Sequence, residues 1–144
     1  MVESDTIKLL RECDAGIKMG ISSINDVLKK VTDRSLYSIL SDCKKEHEGL
    51  ERETRKLLHR YDDSGKKPNP IAKSMSKMKT NMMLAIKRSD ATISDLMTDG
   101  CNMGVKSLSR YLNKYEAADE SSKNIAKRLI SSEENLAVNM RGFL

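Results

Sequence analysis

Residues 62–90 read DDSGKKPNPIAKSMSKMKTNMMLAIKRSD, and the path of the whole chain turns on this stretch. Asp62 to Asn69 is rich in turn formers, and Asn69-Pro70 joins a capping side chain to a proline whose fixed φ suits the first position of a helix. Ile71, Met75, Met78, Met82 and Ile86 then recur at helical spacing. Ser89-Asp90 is a fresh cluster of capping residues, so the spacing predicts a helix over 70–87 and another from 90. At 1.5 Å per residue the first of these is roughly 27 Å long, enough to carry the chain from one end of a bundle back to the other.

Outward from this segment the apolar residues form seams. Upstream, Ile7, Leu10, Ile17, Ile21, Ile24, Leu28 and Val31 alternate spacings of three and four once Asp14 is admitted as the missing member. Thr32-Asp33 starts the next seam, which is Leu36, Leu40, Cys43, His47, Leu50, Thr54, Leu57 and Tyr61. Downstream, Met97, Cys101, Val105, Leu108, Leu112 and Tyr115 form a third seam. After the capping cluster Asp119 to Ser122, Ile125, Leu129, Leu136 and Met140 form a fourth, closed by Gly142. These seams predict one domain over 1–144, with helices at about 4–31, 33–61, 70–87, 90–118 and 121–141. The competing reading, a turn at Gly100 and one helix from there to the end, makes that helix more than 40 residues long, out of proportion to its partners. The predicted fold is therefore all-α, a four-helix bundle whose one long crossover contains an additional helix, which is the ferritin-like arrangement.

Composition agrees with helix packing. Aromatic residues make up 3 %, Trp is absent and there are nine Met, a poor palette for sheets. The net charge of +5 is unevenly placed: Lys66, Lys67, Lys73, Lys77, Lys79, Lys87 and Arg88 lie between Asp63 and Asp90 with no acid among them, and the rest of the chain is slightly acidic. This segment is expected to form a contiguous basic surface. No glycine-rich phosphate loop, CxxC, HExxH or GxSxG occurs, which removes the signatures of nucleotide binding, dithiol redox, zinc proteolysis and serine hydrolysis and leans the reading away from an enzyme. Cys13, Cys43 and Cys101 are odd in number and scattered, which fits a reducing cytoplasm and core packing better than a disulfide framework. The start lacks the pattern of a signal peptide and the longest apolar run, Met82 to Ile86, is far too short to span a membrane.

Leu9-Leu10 followed by Cys13-Asp14, the small-residue stretch Gly16 to Ser23, and Cys101-Asn102-Met103-Gly104 leading to Tyr111 or Tyr115 resemble a bacterial ferritin-like four-helix-bundle family of unknown function. The resemblance covers nearly the whole chain; it implies the fold and lends no activity. Di-metal proteins of this architecture take a Glu from each of two helices and a Glu-x-x-His from each of the others. This sequence instead has Ile24 or Asn25 on helix 1, Lys44 three residues before His47, Gly100 and Asn102 on the third seam, and Leu136 or Ala137 three residues after Glu133-Glu134. The resemblance thus implies a lost di-metal site and no cofactor. Iron, manganese or zinc would have to rely on a residual set drawn from Asp14, His47, Glu133 and Glu134.

Asp14 and His47 interrupt apolar seams, and their counts from the turn at Thr32 place them at similar heights on opposite helices. They are expected to meet as a buried hydrogen-bonded pair that fixes register, with a mononuclear metal site completed by Glu133 or Glu134 as the alternative. His59 lies off the seam and reads as solvated. Gly16/Gly20 and Gly100/Gly104 each cost helix propensity and so suggest close helix approach. The crossover helix is expected to pack its Met face on the bundle and hold its Lys face in solvent. The function these features suggest is a non-enzymatic scaffold or interaction module with a protein partner or a second copy of itself. The alternatives are a residual metal-binding or oxidative carboxylate protein, and a basic adaptor that uses 66–88 against nucleic acid or anionic lipid.

Overall fold

The computed structural model describes residues 4–144, and within α3 the side chains of all but Ile71 and Ile86. Among the described residues there are five α-helices and no strand: α1 (Ser4–Leu28), α2 (Arg34–His59), α3 (Pro70–Ile86), α4 (Asp90–Lys114) and α5 (Glu120–Met140), with a last short 3₁₀ turn at Arg141–Phe143. Side-chain caps set the starts. The Asp33 carboxylate accepts from the backbone N–H of Ser35 at 2.8 Å and Leu36 at 3.0 Å, Ser89 Oγ from Thr92 at 3.1 Å, and Asp119 from Ser122 at 2.8 Å. α2 stops at His59 because the chain folds back: the Asp63 N–H returns to the Leu58 carbonyl, and Asp62 takes the left-handed conformation at φ 53°.

Two clasps fix the direction of α4. At one end the Asp90 carboxylate accepts from Thr32 N at 2.9 Å, Thr32 Oγ1 at 2.7 Å and Asp33 N at 2.9 Å, joining the start of α4 to the α1–α2 turn. At the other end Ala117 N donates to Asp5 and Asp119 N donates to Thr6 Oγ1, so the α4–α5 turn sits on the start of α1. α4 therefore runs parallel to α2, and α5 returns alongside α1. A chain that went simply up and down would place α4 antiparallel to α2, so α3 is a crossover. α1, α2, α4 and α5 pack on one another, and α3 lies outside them against α1 and α4.

The Asp90 clasp is testable. Burial pushes its carboxyl up, but the three hydrogen bonds from Thr32 and Asp33 outweigh that and hold it below the usual aspartate value. Asp90→Ala hands those exposed donors to water and lowers the unfolding free energy by about 1 kcal/mol, measured by denaturant titration at neutral pH. Because the folded-state pKa is depressed, this contribution is present above the unfolded pKa and is lost as pH falls through the folded value; the wild-type advantage shrinks in acid.

The core has two apolar layers. Near the α1–α2 turn, Ile24, Val27, Leu36, Leu40, Ile93, Met97, Leu136 and Met140 are buried together with Leu84 from α3. Toward the other end, Leu9, Ile17, Leu50, Leu108, Ile125 and Leu129 form the second layer.

α3 is oriented opposite to the expectation that its Met face packs inward. Met75, Met78 and Met82 are 65 %, 65 % and 60 % exposed, whereas Leu84 is 4 % exposed. Positions two apart on a helix point roughly 160° apart, so seating Leu84 in the core turns Met82 outward, and Met75 and Met78 with it. Lys77 reaches back to Asp26 at 3.9 Å, so part of the Lys face lies toward the bundle.

Candidate functional site

Between the two apolar layers the four bundle helices meet in a polar one. α1 contributes Gly20, α2 contributes Cys43 and His47, α4 contributes Cys101 and Gly104, and α5 contributes Ser132 and Glu133. His47, 1 % exposed, occupies the α2 seam position that its spacing assigned to it. Its Nδ1 lies 3.0 Å from the Cys43 carbonyl one turn back, a contact in which Nδ1–H donates. Nε2 then faces Glu133 Oε1 at 3.7 Å, an ion-pair distance longer than a hydrogen bond. The Cys43 thiol is 3.6 Å from His47 Nδ1 and 3.7 Å from Ser132 Oγ.

The glycines make this layer possible. A Cβ on Gly20 would stand 2.8 Å from His47 Cδ2, and one on Gly104 would stand 2.7 Å from Glu133 Cδ. Two side chains that α1 and α4 do not have are thus replaced by an imidazole and a carboxylate reaching across from α2 and α5. Gly16 meets only Leu129, at 3.8 Å, and Gly100 meets nothing, so one member of each glycine pair serves close packing.

Electrostatically the layer is a coupled pair. Burial lowers the His47 pKa, but hydrogen bonds and charge from Cys43 and Glu133 outweigh it and raise it to about 10. Burial pushes the Glu133 carboxyl up, with His47 opposing. Glu133 Oε2 is buried without a hydrogen-bond partner, as are Ser94 Oγ and Thr98 Oγ1 on α4. Burial and the neighbouring Glu133 push the Cys101 thiol up to about 12, and burial does the same to Cys13 with Glu12 and Asp14 adding to it. Those two cysteines are core thiols and not nucleophiles.

Asp14 does not pair with His47. It is buried one layer away, where it accepts from Lys18 Nζ at 2.7 Å and from the backbone N–H of Lys66 at 3.0 Å, with Gly65 at φ 84° turning the chain tightly against it. Together with Arg11–Asp63 and Glu12–Lys66 it staples the α2–α3 loop to α1. Residues 29–33 are not helical, so heights counted through that turn slip. Gly20 is level with His47, and the intervening residues put Asp14 roughly 9 Å further along α1.

Of the residual metal set the structure brings together His47 and Glu133 alone, because Glu134 is exposed on α5. The positions facing the pair also differ from those expected: Ile24 is core, Asn25, Gly100 and Asn102 are exposed, and Gly20 and Gly104 stand at the height of the pair. A di-metal centre does not fit these residues, since two glycines, one imidazole and one carboxylate cannot bridge two cations. Among the described residues no group of three His, Cys, Asp or Glu side chains is arranged to hold a metal. Ser132 and Glu133 had a signal in the sequence, the seven-residue gap between Leu129 and Leu136 that one buried residue must fill. His59 is exposed, and so are all seven basic residues of 66–88, of which Lys66 pairs with Glu12 and Lys77 with Asp26.

No family model matches the chain, and no curated protein matches it in sequence. Among solved structures it is similar to the crystal structure of a DUF305 fragment from Deinococcus radiodurans, with a TM-score of 0.76 at 12 % identity over 98 % of this chain and 95 % of that one. At that identity the likeness speaks for the helical fold alone. Among the described residues no helix is long and apolar enough to cross a membrane.

Proposed function

We propose that this chain is a cytoplasmic, non-enzymatic bundle of the bacterial ferritin-like type, a scaffold or interaction module whose di-metal site has been replaced by a structural pair. The observation that carries this reading is the central layer. Gly20 and Gly104 stand where α1 and α4 would have to supply bridging carboxylates, and the room they leave is filled by His47 and Glu133. The crossover path of α3 supports the ferritin-like assignment.

One observation favours a second reading, a mononuclear metal site. His47 donates Nδ1–H to a backbone carbonyl, the orientation that frees Nε2 for a metal, and Glu133 Oε2 beside it has no partner. One experiment separates the two. Protein purified from medium supplemented with iron, manganese and zinc, then dialysed, should carry far less than one metal per chain by elemental analysis. One metal per chain, lost in His47→Ala, would sink the structural-pair reading and establish the other.

A further inference from the structure

We infer that the outward methionine ridge of α3 docks on an anionic membrane surface. The inference deepens the reading of the chain as an interaction module by naming its partner. Met75, Met78 and Met82 lie on one side of α3 and stand clear of the bundle at 60–65 % exposure, an unusual cost for three large apolar side chains unless something covers them. Exposed basic residues flank the ridge along the chain, Lys67 before it and Lys87 and Arg88 after it, and Lys79 lies beside it, while Lys66 is taken up by Glu12. No acid occurs between Asp63 and Asp90. An apolar ridge set among cations is the arrangement that enters the boundary between acyl chains and acidic headgroups.

Shape and charge choose among the occupants. The surface is a convex ridge on one helix. Met75, Met78 and Met82 line neither the surface groove of about 570 Å³ between α2 and α5 nor that of about 290 Å³ between α1 and α2, and a partner helix would want such a groove. A bilayer accepts a ridge directly. A second copy would bring two segments without acids face to face, and their like charges would repel. Nucleic acid would need cations on the outermost line and aromatic rings to stack on, whereas the outermost residues here are methionines and α3 has no aromatic residue.

The test is co-sedimentation of the full chain with phosphatidylcholine vesicles made with and without phosphatidylserine. Binding is expected to the phosphatidylserine vesicles only, and to weaken with added salt. The triple variant Met75→Ser/Met78→Ser/Met82→Ser should bind about tenfold or more weakly while its thermal midpoint is unchanged, because these side chains already face water. Lys67→Glu/Lys79→Glu should weaken binding as well, and undiminished binding by that pair overturns the role of charge in the inference. Absence of wild-type binding at low ionic strength overturns the inference, as does undiminished binding by the triple Met variant, which would leave charge alone. A methionine-dependent dimer in sedimentation velocity without lipid, or methionine-dependent capture of nucleic acid or an acidic peptide with no vesicle binding, also overturns it and assigns the ridge elsewhere. Metal analysis tests the parent reading separately, so a metal-bearing protein that still binds vesicles would fail there and stand here.

Discussion

His47→Ala lowers the unfolding free energy by about 3–5 kcal/mol at neutral pH, because it leaves the Glu133 carboxyl buried opposite a void with neither charge nor donor facing it. Glu133→Ala orphans the imidazole and costs a similar amount. The two changes share one interaction, so the double variant should lose clearly less than the sum of the singles, with a coupling of about 1–3 kcal/mol in a denaturant-based cycle. An apolar replacement of both, His47→Leu with Glu133→Met, fills the volume without leaving an orphan and should be nearly neutral or stabilising. Additive losses would mean that His47 and Glu133 do not act as a pair.

The same pair sets a pH signature whose sign follows from both shifts. The folded protein holds the His47 proton more tightly than the unfolded chain, with a pKa raised from 6.5 to about 10. That stabilisation is fully present below about 6.5 and is lost as pH rises toward 10. Glu133, raised above 4.5, acts in the same direction at lower pH, since its buried carboxyl favours the protonated form that the unfolded chain gives up earlier. The unfolding midpoint of the wild type should therefore fall between pH 6.5 and 10 more steeply than that of the apolar double variant. Equal slopes would show that the layer binds no extra proton on folding.

How much of this was legible in the sequence depends on what each feature rests on. Seam spacing and capping residues are local, and they located five helices with ends near those observed, including the breaks at Ser89-Asp90 and Asp119-Glu120. The burial of Asp14 and His47 was also legible, since each continues an apolar seam whose neighbours one turn away, Leu10 and Ile17, Cys43 and Leu50, are buried. Their pairing was not. It depends on the axial offset of α1 against α2, which the five non-helical residues 29–33 decide and which no periodicity reports. The rotation of α3 escaped for a related reason. Its Met stripe and its single leucine point in nearly opposite directions, and the choice between them is made by the gap between α1 and α4 that receives Leu84. Sequence amphipathicity identifies an apolar face; it does not say that the bundle is what covers it.

Gly104→Ala and Gly100→Ala, one turn apart on α4, should change stability in opposite directions. In a helix interior the exchange alone favours alanine by about 1 kcal/mol, as a backbone effect. At Gly100 nothing lies within 4 Å of the new methyl, so that gain is realised. At Gly104 the methyl would stand 2.7 Å from Glu133 Cδ and against Oε2, and the carboxylate must move. It cannot move toward α1, because the His47 ring fills that side and is itself held against Gly20, whose own Cβ position is 2.8 Å from the ring. The displacement therefore breaks the Glu133–His47 contact and overpacks the layer, a net loss of about 2–3 kcal/mol. If the carboxylate is the obstacle, removing it relieves the clash: in a Glu133→Ala background Gly104→Ala should be neutral or stabilising, because the methyl then occupies space the carboxylate has vacated. A Gly104→Ala protein as stable as Gly100→Ala would mean that Glu133 is not wedged against α4. The glycines would then owe nothing to the pair, and the proposed replacement of a metal-bridging layer by His47 and Glu133 would fail.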